Sequence, residues 1–336
     1  MATGHVNVLG GSVDVGEPLK AKGIAYKFLD SGLKYIEIKS QKTAYGPPKA
    51  FFFDKDKLSF YAIGETSVTS LNQDGTSRYS KTSYTYINSA TIDESGNIYI
   101  FSFRPNYNAS GKILKLNSGG GTVFEKTYAE LPNASRGFIS YKNKSLYLAQ
   151  KDILYKISCT TGEIEKTLNI QDANLGNIEP SNNALYVKNR TKIFKVSFDL
   201  QLLAEYEIEN NAMTLYIDLK NEDKIYTSTN IIGGSKLYEL NSNLQLLNTQ
   251  TFSESGITSI DKDFFGYFYI DLGSKGMCKI RPNIFENPNI IISRGTKRSF
   301  YLISEMRNKM YSYETNGYIE IHEQQGTLSE ISITEE

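Results

Sequence analysis

The stretch ESGNIYIFSF, residues 94–103, decides how the chain folds. A polar turn, Glu94-Ser95-Gly96-Asn97, leads into a strand that alternates Ile98 and Ile100 with Tyr99 and Phe101. Alternation at period two is the mark of a β-strand rather than a helix. Related stretches recur down the chain as KSLYLAQ, NALYVKN, DKIYTST, GYFYIDL and NKMYSYE. The aromatic landmark of each falls at Phe60, Tyr99, Tyr147, Tyr186, Tyr226, Tyr269 and Tyr311, at spacings of 39, 48, 39, 40, 43 and 42 residues. A second landmark closes an apolar–polar–apolar strand one hairpin later. It falls at Leu71, Leu116, Ile157, Val196, Leu240, Ile280 and Ile321, at spacings of 45, 41, 39, 44, 40 and 41. Two independent landmarks keep one count and nearly one period, so the chain is a repeat.

Each unit holds two more strands. A leading strand precedes the first landmark, as in AFFFDK, SATIDE, GFISYK and GNIEPS. A trailing strand follows the second, as in TVFEKTY, LLAEYEI and LLNTQTF. Turns rich in Asn, Asp, Gly and Ser separate them, residues that accept the positive backbone angles of tight hairpins. Four antiparallel strands per unit, here called a to d, at a period of about 40–45 residues predict a β-propeller. The expected fold is all-β: a seven-bladed propeller with blades at about 49–87, 88–131, 132–171, 172–211, 212–254, 255–296 and 297–336. Wedges between blades account for 24 Tyr and 17 Phe in a chain without Trp. The segment DESGNIYI, residues 93–100, resembles the second-strand motif of NHL and YncE-like repeat propellers. That resemblance implies the architecture and brings no active-site residues with it.

Residues 1–48 precede the first unit. GIAYKFLDSGLKYIEIKSQ reads as a hairpin around DSG, and GPP at 46–48 breaks the chain after it. The expected organisation is therefore an N-terminal arm or adaptor, 1–48, and a propeller, 49–336, with the seventh blade taking LSEISIT as its own outer strand.

Composition narrows the function. Lys plus Arg and Asp plus Glu both number 37, so the formal net charge is zero. A nucleic-acid binder needs a basic field or stripe, and none is visible. No apolar run approaches the ~20 residues that span a bilayer, and MATGHVNVLGGSVDVGEP lacks the features of a secretory signal. The expectation is synthesis in the cytoplasm, with a virion as a further destination.

Chemistry is sparse. A His-based zinc site or a Ser-His-Asp triad would have to use His5, in the N-terminal segment, or His322, which follows the third strand of the last blade and reads as solvent-facing, and neither is expected to serve. Cys159 and Cys278 have no metal-binding spacing and read as small hydrophobes in strands. NSGGGT, residues 117–122, lacks the lysine of a phosphate loop and reads as a hairpin. Asp54, Asp56, Asp93, Glu94, Asp261 and Asp263 recur near the first hairpin of their units and read as turn residues, since a calcium loop needs ligands at more positions. No catalytic residue, cofactor or metal is expected.

The positive clue is loop length. The b–c and d–a connections share one face of a propeller. There the candidates are Arg104 and Tyr107 in RPNYNASG, Ile231 and Ile232 in NIIGGS, and Tyr84, Arg136 and Arg298 in d–a connections. Arg and Tyr anchor interfaces, and long loops on rigid scaffolds carry function. The expected function is a non-enzymatic binding or assembly module with a protein or glycan partner at this face and assembly through residues 1–48. The GHVNVLGGSVDVG segment gives a resemblance to structural or host-attachment proteins of phage particles. Two alternatives stand beside it: a lyase or glycan hydrolase using carboxylates at the channel mouth, and a cytoplasmic protein-interaction scaffold.

Overall fold

The computed structural model describes most of residues 49–272, and Cys278, with their side chains. Strands within 4–48 and 276–332 are described as backbone, and segments such as 55–58, 104–109, 132–136, 263–267, 281–288 and 294–298 are not described. The chain opens with β1 (Gly4–Val8), β2 (Gly11–Val15), β3 (Ile24–Phe28) and β4 (Lys34–Lys42). Five sheets follow whose side chains are described. The first is β5 (Pro48–Phe53), β6 (Ser59–Gly64), β7 (Ser67–Asn72) and β8 (Ser77–Thr82). The second is β9 (Ile87–Ile92), β10 (Ile98–Ser102), β11 (Gly111–Leu116) and β12 (Thr122–Tyr128). The third is β13 (Gly137–Lys142), β14 (Ser145–Gln150), β15 (Ile153–Ser158) and β16 (Ile164–Asn169). The fourth is β17 (Ile178–Pro180), β18 (Leu185–Lys188), β19 (Lys192–Val196) and β20 (Leu202–Glu207). The fifth is β21 (Ala212–Asp218), β22 (Lys224–Ile231), β23 (Gly234–Leu240) and β24 (Leu246–Phe252).

The series continues with β25 (Ser259–Lys262), β26 (Phe268–Asp271), β27 (Gly276–Ile280) and β28 (Asn289–Ser293). It ends with β29 (Ser299–Ile303), β30 (Lys309–Glu314), β31 (Tyr318–Gln325) and β32 (Leu328–Ser332). Every sheet is four-stranded, and each pair within it is antiparallel. The a strand of each sheet lies against the a strand of the next, from β5 through β9, β13, β17, β21 and β25 to β29, and β29 lies against β5. The molecule is an all-β propeller of four-stranded antiparallel blades.

The core occupies the wedges between blades. Tyr99, Phe101 and Ile113 of the second blade pack with Ile139, Leu146 and Leu148 of the third. Equivalent clusters join the third to the fourth, the fourth to the fifth and the first to the second. Outer d strands alternate exposed and half-buried residues, as in β8 and β20, because one edge and much of one face meet solvent.

One tyrosine fastens each of the first four wedges, whereas Tyr226 of the fifth blade donates to Glu239 of its own blade at 3.3 Å. Tyr99 Oη donates to the Cys159 carbonyl of the next blade at 3.3 Å, Tyr147 Oη to Phe198 O at 3.1 Å, and Tyr186 Oη to Ser242 O at 2.7 Å. Tyr61 makes the same approach to Ser118 O at 3.5 Å and also donates to Asp54 at 3.3 Å. The accepting carbonyl always belongs to the residue after the Asn or Ser that opens the c–d turn. In the first blade the residue in this register is Tyr61, opposite Ser70, whereas Phe60 pairs with Leu71. The landmark at Phe60 is thus one residue early. Tyr311 is likewise out of register, opposite Ile321 rather than the residue before it.

Four of those c–d turns share one geometry, and in the third blade the turn is one residue longer, Gly162 N reaching Ser158 O at 2.9 Å. Asn72, Asn117, Ser197 and Asn241 each accept, through the backbone carbonyl, the N–H of the residue three places on. That residue is left-handed: Gly75 (φ 81°), Gly120 (φ 80°), Leu200 (φ 55°) and Leu244 (φ 61°). A register shift at the end of strand c accompanies the turn in all five blades, the bulge that a left-handed residue sets up. A left-handed leucine costs roughly 1–2 kcal/mol. Leu200 and Leu244 are buried between blades, which returns about 1.5–3 kcal/mol each.

The ends of the chain depart from expectation. The proposed hairpin at 24–42 does not form. β3 pairs with β1 and β32, and β4 pairs with β31, from Tyr318↔Lys42 to Gln325↔Lys34. The outer strand of the β29–β30–β31 blade is therefore β4, and LSEISIT joins a separate sheet of order β2-β1-β3-β32. Both segments alternate equally well, and alternation does not name a partner. The longer β4 matches the eight-residue β31, whereas β32 has five residues.

Two outcomes test this account. Tyr186→Phe should lower stability to urea by about 1 kcal/mol, the net worth of one hydrogen bond, because the ring stays and only the interblade bond is lost. An unchanged denaturation midpoint would remove the latch from the account. Deleting residues 1–33 should leave the propeller's melting cooperative, whereas deleting 1–47 removes β4, bares the β31 edge and should lower the melting temperature and promote aggregation. Equal melting of the two would contradict the pairing of β4 with β31.

Candidate functional site

Two places on the propeller could meet a ligand. The first is the face of the b–c and d–a loops. Arg104, Tyr107, Arg136 and Arg298 lie outside the described residues. Tyr84 is half-buried against the cluster between the first and second blades, and its N–H reaches Thr66 O at 3.3 Å. Burial, then the charge of Glu125, raises its hydroxyl pKa. Tyr84 is thus part of the packing as well as of the face.

The β22–β23 hairpin is different. Ile231 pairs with Gly234, and Ile232 projects from the tip with its side chain fully exposed, at 105% of its reference area. Gly233 is left-handed at φ 82°. A Cβ on Gly234 would come within 1.9 Å of the Phe252 carbonyl, so the position admits only glycine. The hairpin is tied down at its base. Gly256 N donates to Asn230 Oδ1 at 3.0 Å and to Ser235 Oγ at 2.9 Å, linking the b–c turn to the d–a connection beside it. The result is an aliphatic tip on a braced stem.

The second place is the axial cavity, of about 640 Å³, within the range of small-molecule sites. Phe51, Thr91, Ser140, Glu179, Leu215 and Ile260, from six successive a strands, are on its wall. Most of the lining is backbone, hydroxyl or aliphatic. Its charged members are Lys49, Glu179 and Lys188. Lys49 pairs with Glu65 at 3.4 Å.

Glu179 and Lys188 come from the fourth blade. Glu179 lies opposite Tyr186, and the backbone bonds Gly176 N to Lys188 O (2.6 Å) and Lys188 N to Asn177 O (3.0 Å) continue the ladder. Opposed residues share a face, and so do residues two apart. Asn177, Glu179, Tyr186 and Lys188 therefore share the face turned to the fifth blade. Asn177 Nδ2 donates to Glu179 Oε1 at 3.2 Å, and Lys188 Nζ donates to the Ala212 carbonyl of β21 at 3.0 Å. Burial lifts the Glu179 carboxyl to about 7, opposed by the Asn177 bond. Burial lowers the Lys188 ammonium to about 8. Burial thus disfavours both groups as ions, and neither forms an ion pair among the described residues.

Of the turn aspartates, Asp54 and Asp93 are structural, and Asp56 and Asp263 lie outside the described residues. Asp93 accepts from Ser95 N, Asn97 N, Asn97 Nδ2 and Tyr99 Oη. Asp54 accepts from Ser59, Tyr61 and Arg78. Among the described residues no group of three or more His, Cys, Asp and Glu could hold a metal. Cys159 and Cys278 are both buried and unpaired to each other. Sequence reasoning missed Asn177, Glu179 and Lys188. The available signal was GNIEPS, whose leading strand carries a glutamate where the other leading strands listed above carry apolar or hydroxyl residues.

The two pKa shifts predict a pH profile. Between about pH 4.5 and 7, folded Glu179 holds a proton that the unfolded chain has released, so its contribution to stability falls as pH rises. Between about pH 8 and 10.5, the unfolded chain holds a proton that folded Lys188 has lost, so that contribution rises with pH. Melting temperatures across pH should show Glu179→Gln removing the first slope and Lys188→Met the second. Slopes unchanged by either variant would contradict the burial of these groups.

No protein-family model matches the sequence, and no curated protein matches it. Among solved structures, the WD40 domain of Neurospora crassa Pan2 aligns with 92% of this chain and 99% of that chain, at a TM-score of 0.70 and 10% identity. At that identity the likeness concerns the fold: this chain is built like a WD40-type propeller.

Proposed function

We propose that this chain is a non-enzymatic protein-interaction scaffold, a seven-bladed ring whose partner docks on the loop face at the Ile231–Ile232 hairpin. The exposed, braced Ile232 carries the reading. An apolar side chain with no packing role in its own fold gains energy only when a partner covers it. Arg104, Tyr107, Arg136 and Arg298 are proposed as further contacts around it. WD40-type propellers commonly serve as interaction platforms, which agrees with this reading. The blade count of seven is supported by the cyclic order of a strands from β5 to β29 and back, and by the β25–β28 and β29–β30–β31–β4 sheets.

A protein fits better than a glycan, because an isoleucine offers apolar area and none of the hydrogen bonds that sugar hydroxyls require. The hydrolase alternative needs paired carboxylates, and Glu179 is the sole carboxylate among the described residues on the cavity wall. Assembly through the N-terminal segment is proposed in altered form. The sheet β2-β1-β3-β32 is the unit concerned, since β4 belongs to a blade. The proposal does not extend to a phage particle.

A photoreactive residue at position 232 should cross-link one defined protein in an extract of the source cells. Replacing Ile231 and Ile232 together by Asp should weaken its binding at least about tenfold, the scale of a central anchor, and leave the melting temperature unchanged. Binding that survives the double substitution would overturn the reading.

A further inference from the structure

The axial cavity carries an inference independent of the loop-face partner. Its wall presents an acid and a base, Glu179 and Lys188, that do not pair with each other. Lys188 and Glu179 are diagonal neighbours on one face, where Cβ atoms lie ~7–8 Å apart or slightly less. They form no ion pair. Lys188 Nζ is directed at the Ala212 carbonyl across the wedge, and Glu179 is held by Asn177 along its own strand. Asn177 is itself fixed, its Oδ1 accepting the Ile178 N–H at 3.0 Å. An ammonium has three donors and a carboxylate about four acceptor positions. One contact each leaves most of that capacity open, and both residues line the cavity. The other lining lysine, Lys49, is already neutralised by Glu65.

We propose that Asn177, Glu179 and Lys188 form a binding site in the axial cavity for a small organic acid bearing a hydroxyl or amino group, its carboxylate on Lys188 Nζ and its donor on Glu179. The pieces match in sign and in order. The ligand carboxylate supplies the anion that a buried ammonium lacks. Its hydroxyl or amine supplies a second donor to Glu179 beside Asn177. A ligand with one function alone satisfies one group and leaves the other as it was. The cavity wall around the pair is hydroxyl-bearing and aliphatic, with Ser140, Thr214 and Leu215 nearby on the lining, which suits a ligand of a few carbons. Burial disfavours both charges in the free protein; the ligand carboxylate offsets this at Lys188, and its hydroxyl or ammonium donor offsets it at Glu179.

Calorimetric titration of the full chain at neutral pH tests the proposal, with glycolate, lactate and glycine as probes. Acetate serves as the carboxylate without a donor, and ethanolamine as the donor without a carboxylate. The expected result is saturable binding of the bifunctional probes and at least severalfold weaker binding of both controls. Lys188→Met should weaken the bifunctional probes about tenfold to hundredfold, the scale of a charge-assisted hydrogen bond. Glu179→Gln keeps an acceptor at the same place and should cost less than Lys188→Met, while Glu179→Leu should cost more than Glu179→Gln. Should Lys188→Met fail to fold, the Gln and Leu variants at 179 carry the same test. No saturable binding by any bifunctional probe would overturn the proposal, and so would binding indifferent to every variant.

Discussion

The propeller depends on a hydrogen bond that each of the first four blades makes to the turn of the next. The donor is a tyrosine at a fixed register in strand b, and the acceptor is the carbonyl after the first residue of the following c–d turn. A tyrosine suits this role better than a phenylalanine or a leucine. Its ring fills the wedge, and its hydroxyl reaches a carbonyl that a dry wedge would otherwise leave unpaired. Burial raises these hydroxyls, Tyr147 and Tyr186 to about 12. They therefore remain donors over the whole neutral range. The latch fixes the distance between blades and the rotation of one blade against the next.

The turn that receives the bond has to present its carbonyl in the right place, which explains its uniformity. A left-handed residue and a bulge turn the chain in a short loop. In the first and second blades glycine fills the left-handed position, as Gly75 and Gly120. In the fourth and fifth, Leu200 and Leu244 do so and are buried. The same backbone is therefore reached by two chemistries, one without strain and one whose strain is offset by apolar burial. Conservation of shape here does not need conservation of residue.

Much of this was legible in the sequence, and the reason is physical. Period-two alternation, turn composition and a recurrent aromatic are local properties, and they identified strands, hairpins and the repeat. What was missed depends on partners distant in the chain. Phe60 and Tyr61 are adjacent aromatics, and only pairing across to Ser70 shows which one occupies the latch register. Residues 24–42 alternate on both sides of DSG as a hairpin would, yet β3 and β4 leave for different sheets. At the candidate sites the pattern is the same. Ile231 and Ile232 were visible as apolar residues in a turn. Asn177, Glu179 and Lys188 lie in or beside strands, eleven positions apart at most, and become a group only through the ladder between β17 and β18.

The closure of the ring ties these observations together. β4 completes a blade whose other strands come from the far end of the chain, and β3 and β32 bring both ends into one further sheet. Opening the ring therefore requires breaking pairings between the first and last parts of the sequence, the contacts with the largest loop-closure cost to remake. A ring closed in this way holds its a strands at fixed separation. Within it Glu179 is held by Asn177, its neighbour in the chain, and Lys188 reaches across the wedge to the Ala212 carbonyl of β21, so the two groups take separate partners. The ring that sets β21 beside the fourth blade thus supplies the partner that turns Lys188 away from Glu179 on the wall of the axial cavity.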